Sequence, residues 1–345
     1  METKDGLISR IGAVNWDCSL PPETYFGGYA ARSLSPERYR DRTPYYAQLL
    51  APDRIAYRRR SVAEYETEMR YAIEAGIDYF AYCWYDPEPK TEHLVSGEAA
   101  TVDDRVAELA YARCLHMQSP LREKLHLCAI LITCHPYGDD ALRTLVRDMR
   151  DPAYERLEGR PLVWLFPGPW QELIERLRRL CREGGVPEPF AVLMEGGDPV
   201  PPEDVPKIQA VSAYASCIEA ETWENFCAAN LAKNEARLQS GLPCVPHFSM
   251  GWDPGPRNLN PVPWVKYTAG PFAPPCSREE LLAGARDFKA WIARNRARCV
   301  PGHVLVFAWN EFEEGGWICP TLGAEGRPDL SRRDAFAEAA ALWRT

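Results

Sequence analysis

Near the end of the sequence, Asn310, Glu311, Glu313 and Glu314 follow directly on the apolar run Val304-Leu305-Val306-Phe307-Ala308-Trp309. Three carboxylates within four positions repel one another, so some benefit other than stability accounts for the crowding. Glycoside cleavage has a use for such a group. It needs one protonated carboxyl to donate to the leaving oxygen and one ionised carboxylate to push from the other side. Proximity separates their pKa values, because ionising the first makes the second harder to ionise. Glu311 and Glu314 are the candidate catalytic pair. Glu313, on the intervening turn, is as free to point away, and a solvated acidic loop is the plain alternative for the whole segment.

A sugar site also needs ring faces for pyranose C–H groups to stack on, with polar groups at the rim. The chain has 11 tryptophans, 16 tyrosines and 11 phenylalanines. Trp16, Trp84, Tyr85, Tyr214, Trp252, Trp309 and Trp317 fall where apolar runs end, with Trp84 and Trp252 ranked first because polar residues follow them. Asn15, Glu195, His247 and Asn310 close other runs and join them as candidate substrate-binding residues. Asp253 and Arg257 flank a glycine and two prolines in Gly251-Trp-Asp-Pro-Gly-Pro-Arg257, a loop stiff enough to hold an acid and a guanidinium in place. A local salt bridge and direct substrate contact are equally open for that pair. For His247 and His135 a hydrogen-bonded structural role is the more usual one.

The elements that must position these groups are short apolar runs alternating with amphipathic ones. Strands are expected over 11–16, 78–85, 125–133, 161–166, 190–195, 208–216, 244–252 and 303–312. Helices are expected over 62–74, 103–117, 139–149, 170–183, 222–239, 277–297 and from Ser331 onward. Eight strands separated mostly by helices imply parallel pairing. The count and length predict an α/β fold, a single (β/α)8 TIM barrel spanning 1–345 as one catalytic domain. An open doubly wound sheet is disfavoured, since no G-x-G-x-x-G follows the first strand and no phosphate-binding G-x-x-x-x-G-K-[ST] occurs. The 31 prolines, about 9 % of residues against a usual 5 % or so, gather after strands and predict long, stiff βα loops at the face where such barrels place their chemistry.

A formal charge of −9 disfavours nucleic acid and anionic membrane surfaces as partners. No stretch of eighteen apolar residues occurs, and Met1-Glu2-Thr3-Lys4-Asp5-Gly6 leads into no signal-like segment, so a soluble cytoplasmic chain is expected. The 12 cysteines are scattered, several within apolar runs, which reads as free thiols in a reducing compartment. The six histidines never fall at H-x-x-x-H spacing and no C-x-x-C occurs, so neither metal nor other cofactor is expected.

Trp309-Asn310-Glu311-Phe312-Glu313-Glu314-Gly315 resembles the W-N-E-W-x-E-G signature of glycoside hydrolase family 99 and of the related WbsX-type domains. Ala75-Gly76-Ile77-Asp78 before Tyr82, Trp84 and Tyr85, then Asp151-Pro152-Ala153-Tyr154 with Gly159-Arg160-Pro161-Leu162, and Gly251-Trp252-Asp253 before Pro256-Arg257 fall in the same order, over nearly the whole chain. The resemblance implies a (β/α)8 barrel acting on glycans with retention of anomeric configuration. It implies that Glu311 deprotonates the sugar's own 2-hydroxyl to give a 1,2-anhydro intermediate, while Glu314 serves as acid and then base. The sequence departs from family 99 at Glu313, where that family has a histidine, and its opening strand is only loosely similar. The alternative is a WbsX-type glycosyltransferase of polysaccharide biosynthesis, disfavoured because no Asp-x-Asp metal motif or basic diphosphate cradle is evident. A sugar-binding barrel without catalysis is a third reading, opposed by the presence of both glutamates.

Overall fold

The computed structural model describes residues 7–87, 105–194 and 198–345. Eight parallel strands form its centre: β1 Ile8–Asn15, β2 Tyr79–Trp84, β3 His126–Leu131, β4 Arg160–Leu165, β5 Phe190–Leu193, β6 Ala210–Val211, β7 His247–Ser249 and β8 Gly302–Phe307. They are ordered β7-β8-β1-β2-β3-β4-β5-β6. The ring closes where Val211 N–H bonds the Pro243 carbonyl and Val245 N–H bonds the Val211 carbonyl, both at 2.9 Å. Every stave then has two neighbours, and the sheet becomes the expected barrel.

The helices lie between successive strands: α1 Tyr25–Leu34, α2 Val62–Glu74, α3 Tyr111–Gln118, α4 Asp139–Asp148, α5 Gln171–Glu183, α6 Trp223–Arg237, α7 Gly255–Leu259, α8 Arg278–Arg294 and α9 Ser331–Arg344. Local signals set their ends. Ser61 and Glu64 cap α2 reciprocally, as Ser277 and Glu280 cap α8. Gly76, at φ +82°, turns the chain after α2 so that Asp78 N–H can bond the Ile11 carbonyl at the start of β2. After its first residue, His126, β3 is apolar and buried, because helices cover one face and the barrel interior the other.

The structure departs from the sequence-based expectation in several places, among them β7, which keeps only His247–Ser249 of the 244–252 expected, and α7, which was not expected. Strand β6 keeps only two residues of the nine expected, since after Ser212 the chain turns up into the rim. Strand β8 ends at Phe307, not at residue 312; Asn310–Glu311 instead pairs antiparallel with Gly316–Trp317 across a tight turn. Helix α1 was not expected at all. Its Gly27 comes so close to the preceding loop that a Cβ there would lie 2.2 Å from the Leu20 carbonyl oxygen. The first two residues of the helix expected over 103–117 lie outside the described residues.

Candidate active site

The turn after β8 carries the acids to the C-terminal mouth of the barrel. Glu311 is the last residue of the short strand, and Phe312–Glu314 is a single 3-10 turn ended by Gly315 in the left-handed conformation. The carboxylates are nearly inaccessible, at 1 % for Glu311, 3 % for Glu313 and 7 % for Glu314. A solvated acidic loop is therefore not what the chain builds.

All three converge on Arg257 of α7. Its Nη1 is ion-paired with Glu314 Oε1, and its Nη2 lies 3.6 Å from Glu311 Oε2 and 3.8 Å from Glu313 Oε2. Tyr267 Oη accepts from Arg257 Nη1 at 2.7 Å and donates to Glu314 Oε1 at 2.5 Å. Tyr214, past the end of β6, donates to Glu311 Oε1 at 2.6 Å and receives a weak Sγ–H contact from Cys83 at 3.6 Å. Cys18 makes a similar contact with Glu313 Oε1 at 3.6 Å. One guanidinium thus stands among three buried carboxyls.

Burial, followed by repulsion from Glu314, holds the Glu311 carboxyl well above the usual glutamate range; burial raises Glu313 as well. Burial opposes the charge of Arg257, but attraction to Glu314 and Glu313 outweighs it. Glu311 is accordingly held toward its neutral form, while Glu314 is ion-paired with the cation.

The acid turn is fixed from below and beside. Trp309 N–H bonds the Val14 carbonyl of β1 at 2.8 Å, and its indole donates to buried Glu68 of α2 at 2.9 Å. Arg60 links Glu68 to Asp17, so a fully buried acid-base-acid chain ties α2 to the loop after β1. Asn310 Oδ1 accepts from Trp16 N–H at 3.0 Å while its Nδ2 donates to Asn15 Oδ1 at 3.1 Å. Gly251 and Gly315 are where the loops after β7 and β8 touch. A Cβ on Gly315 would lie 2.6 Å from Asp253 N, and one on Gly251 would lie 2.5 Å from the Gly315 carbonyl oxygen.

Of the residues singled out from sequence, Glu311, Glu314, Asn310, Asn15, Tyr214 and Arg257 come together here. Trp252 joins them, packed between Tyr267 and Phe307 with ring centroids 5.8 and 5.9 Å away. Tyr85 faces Trp16 and the His135 ring.

The others are placed differently. Trp84, ranked first with Trp252, is 1 % exposed and donates to Asp148 of α4 at 3.3 Å, so it packs between barrel and helix. Trp309 likewise points to Glu68, away from the carboxyls. His247 has both ring nitrogens engaged, with Tyr214 O at 3.1 Å and Ser216 Oγ at 3.2 Å; burial lowers its pKa to about 3, and it is a neutral structural residue. Asp253 does not pair with Arg257: its carboxylate meets Arg42, and its N–H bonds the Glu314 carbonyl at 2.7 Å. Trp317 stands between the guanidinium groups of Arg42 and Arg332, 5.6 and 4.3 Å from its ring. Glu195 lies outside the described residues. Sequence reasoning missed Tyr267, Arg42, Cys18 and Trp264. Tyr267 and Trp264 stand in a proline-rich stretch with no periodic pattern, where only their residue type was a signal.

Among the described residues, no cluster of His, Cys, Asp or Glu could hold a metal ion, and no helix is long and apolar enough to cross a membrane. Among the described residues no cysteine forms a disulfide.

The barrel has counterparts among solved structures. A solved GH99 endo-alpha-mannosidase from Bacteroides thetaiotaomicron, in complex with BIS-TRIS-propane, superposes with a TM-score of 0.56 over 97 % of this chain and 96 % of that one, at 12 % identity. Another structure described as the GH99 endo-alpha-mannosidase of that organism gives 0.49 over 87 % and 83 %, also at 12 % identity. No protein-family model and no curated protein sequence matches the chain. The likeness is one of fold, and the chain has a GH99-like (β/α)8 barrel.

Proposed function

We propose that the chain is a retaining glycoside hydrolase acting on an oligosaccharide or glycoconjugate, with residues 1–345 as one catalytic domain and Glu311 and Glu314 as its acid-base pair. The observation that carries this is that both carboxyls, buried at the C-terminal mouth of the barrel, contact opposite nitrogens of one guanidinium. A GH99-like fold, whose solved example is described as an endo-alpha-mannosidase, makes α-linked mannose the first substrate to try.

In the proposed reaction Glu311 takes the proton of the sugar's 2-hydroxyl, and the freed oxygen attacks C1 on one face. The glycosidic oxygen leaves from the other with the proton of Glu314. Water then opens the 1,2-anhydro sugar at C1, giving its proton to Glu314, while the 2-oxygen recovers its proton from Glu311. Both residues end as they began. This cycle needs Glu311 ionised, whereas burial favours its neutral form. An entering sugar must therefore draw Arg257 off Glu314, and the hydroxyls of the bound ring are the groups that can take its hydrogen bonds. Free cysteines throughout support a reducing, cytoplasmic compartment.

The test is hydrolysis of defined α- and β-linked oligosaccharides, with NMR following the anomeric proton of the first product. Retention of configuration on at least one of them is expected; inversion, or no cleavage of any, would overturn the assignment.

A further inference from the structure

Catalysis by Glu311 and Glu314 leaves a third buried carboxyl at the barrel mouth without a part. Glu313 is 3 % exposed and stands on the turn between them, where burying a further acid beside two others costs stability unless a cation or donors compensate. Its compensation is thin. Cys18 offers Oε1 a weak Sγ–H contact at 3.6 Å, and Oε2 lies 3.8 Å from Arg257 Nη2.

Arg257 does not serve the three acids alike. Nη1 is committed, ion-paired with Glu314 and hydrogen-bonded to Tyr267 Oη at 2.7 Å. Nη2 forms no hydrogen bond and stands almost midway between two claimants, 3.6 Å from Glu311 Oε2 and 3.8 Å from Glu313 Oε2. The guanidinium lies over the Trp16 ring at 5.2 Å and its side chain is 2 % exposed, so solvent screens little of either attraction. One arm of one cation is divided between two carboxyls.

Glu311 faces Glu314, Arg257, Tyr214 and Glu313, with Cys83 and Cys18 close by. Glu313 faces Arg257, Glu314 and Cys18, with Tyr57 close by, and Asp17 and Arg60 stand beyond, paired with each other. Burial holds these thiols and phenols neutral, so the charges that matter are the acids and the guanidinium. Burial and then Glu314 raise the Glu311 carboxyl and Glu313 adds to the rise, while Arg257 and Tyr214 oppose it. Burial raises Glu313 less far, against the attraction of Arg257. Glu313 is therefore already charged when Glu311 loses its proton.

We propose that Glu313 is a positioning residue for the base: by holding a share of Arg257 that Glu311 would otherwise have, it sets the pH at which Glu311 begins to work. Resting on the hydrolase reading, it makes the enzyme one that becomes active only at a higher pH than the pair and Arg257 alone would permit.

The experiment follows Glu311 in two ways in the full chain. One is the acid limb of kcat/KM on an oligosaccharide that the wild type cleaves. The other is an NMR titration of the carboxyl carbons of isotope-labelled glutamate, with Glu311→Gln identifying the Glu311 signal and melting temperature checking the fold. In Glu313→Gln both midpoints should move to lower pH by about one on the pH scale, as expected when a like charge is removed and a cation released. Glu313→Asp, which keeps the charge on a side chain one methylene shorter, should fall between, and it carries the test if Glu313→Gln does not fold. A purely structural role would lower kcat/KM at every pH and leave both midpoints in place, and that result overturns the proposal while the hydrolase stands. A Glu311 signal that moves in a protein that cleaves nothing overturns the hydrolase reading and supports the coupling of the two acids.

Discussion

Arg257 Nη2 stands 3.6 Å from Glu311 Oε2, and neither atom has a hydrogen-bond partner. At that separation the buried cation and carboxyl attract one another with no hydrogen bond formed between them. Replacing Arg257 with Met would leave three buried carboxyls with no counter-charge, at a cost of about 3–5 kcal/mol at pH 7. With the pKa values of Glu311 and Glu313 raised further, the folded state binds more protons than the unfolded one. The deficit should therefore shrink as the pH is lowered and grow as it rises. Denaturant unfolding at pH 5 and pH 7 checks the sign, and a deficit independent of pH would count against it.

Glu311→Gln and Glu314→Gln should each lower kcat/KM by about 10²–10⁴, as expected for loss of a general acid or base. Glu311→Gln should fold at least as well as wild type, because burial already disfavours its charged form. The same shift sets the pH profile: kcat/KM should rise with pH through a midpoint above the ordinary glutamate value of 4.5. Melting curves and a pH-rate series measure both. Full activity in either variant removes that residue from the mechanism.

His247 is buried neutral, its pKa lowered to about 3 by burial. The unfolded chain takes up a proton near pH 6.5 that the folded chain refuses, so stability is intact above that pH and declines from 6.5 toward 3. The slope is up to about 1.4 kcal/mol per pH unit for one such group. His247→Gln should flatten the decline by about one proton's worth in urea titrations at pH 6 and pH 4. His116, lowered to about 4 by burial, keeps part of the slope in that variant.

Gly315→Ala tests how the acid turn is seated. At φ +81° the backbone favours glycine, which alone costs alanine about 1–2 kcal/mol, and the added Cβ would lie 2.6 Å from Asp253 N. The turn must then move away from the loop that carries Arg257. A drop in melting temperature is expected together with a loss of kcat larger than any change in KM. Alanine accepted with normal kcat would show that the close approach is dispensable.

Where a pattern repeated, it could be read before any coordinates. Helix α2 occupies the expected residues 62–74 because Ser61, Glu64 and Gly76 mark its ends locally. The apolar runs gave all eight staves. What periodicity cannot carry is the contact between residues far apart in the chain. Arg257 was legible as a stiffly held cation, but its three carboxylate partners lie beyond residue 310, and Asp253, its near neighbour, serves Arg42. Trp84 and His247 were misplaced for a related reason. Alternate residues of a strand face opposite sides, and at a strand's end nothing in the local sequence says which side is the cavity. Helix α1 hid behind two glycines, though Thr24, whose hydroxyl accepts from Gly27 N–H, was a cap signal in plain view.

Trp309 is hydrogen-bonded to Val14, and Asn310 to Asn15 and Trp16, so the acids stand on ground supplied by the opposite end of the polypeptide. During synthesis the footing emerges first and the chemistry last. A ribosome that stops short of residue 310 releases a barrel without its reactive turn, and a chain that starts after residue 16 carries glutamates with nothing to stand on.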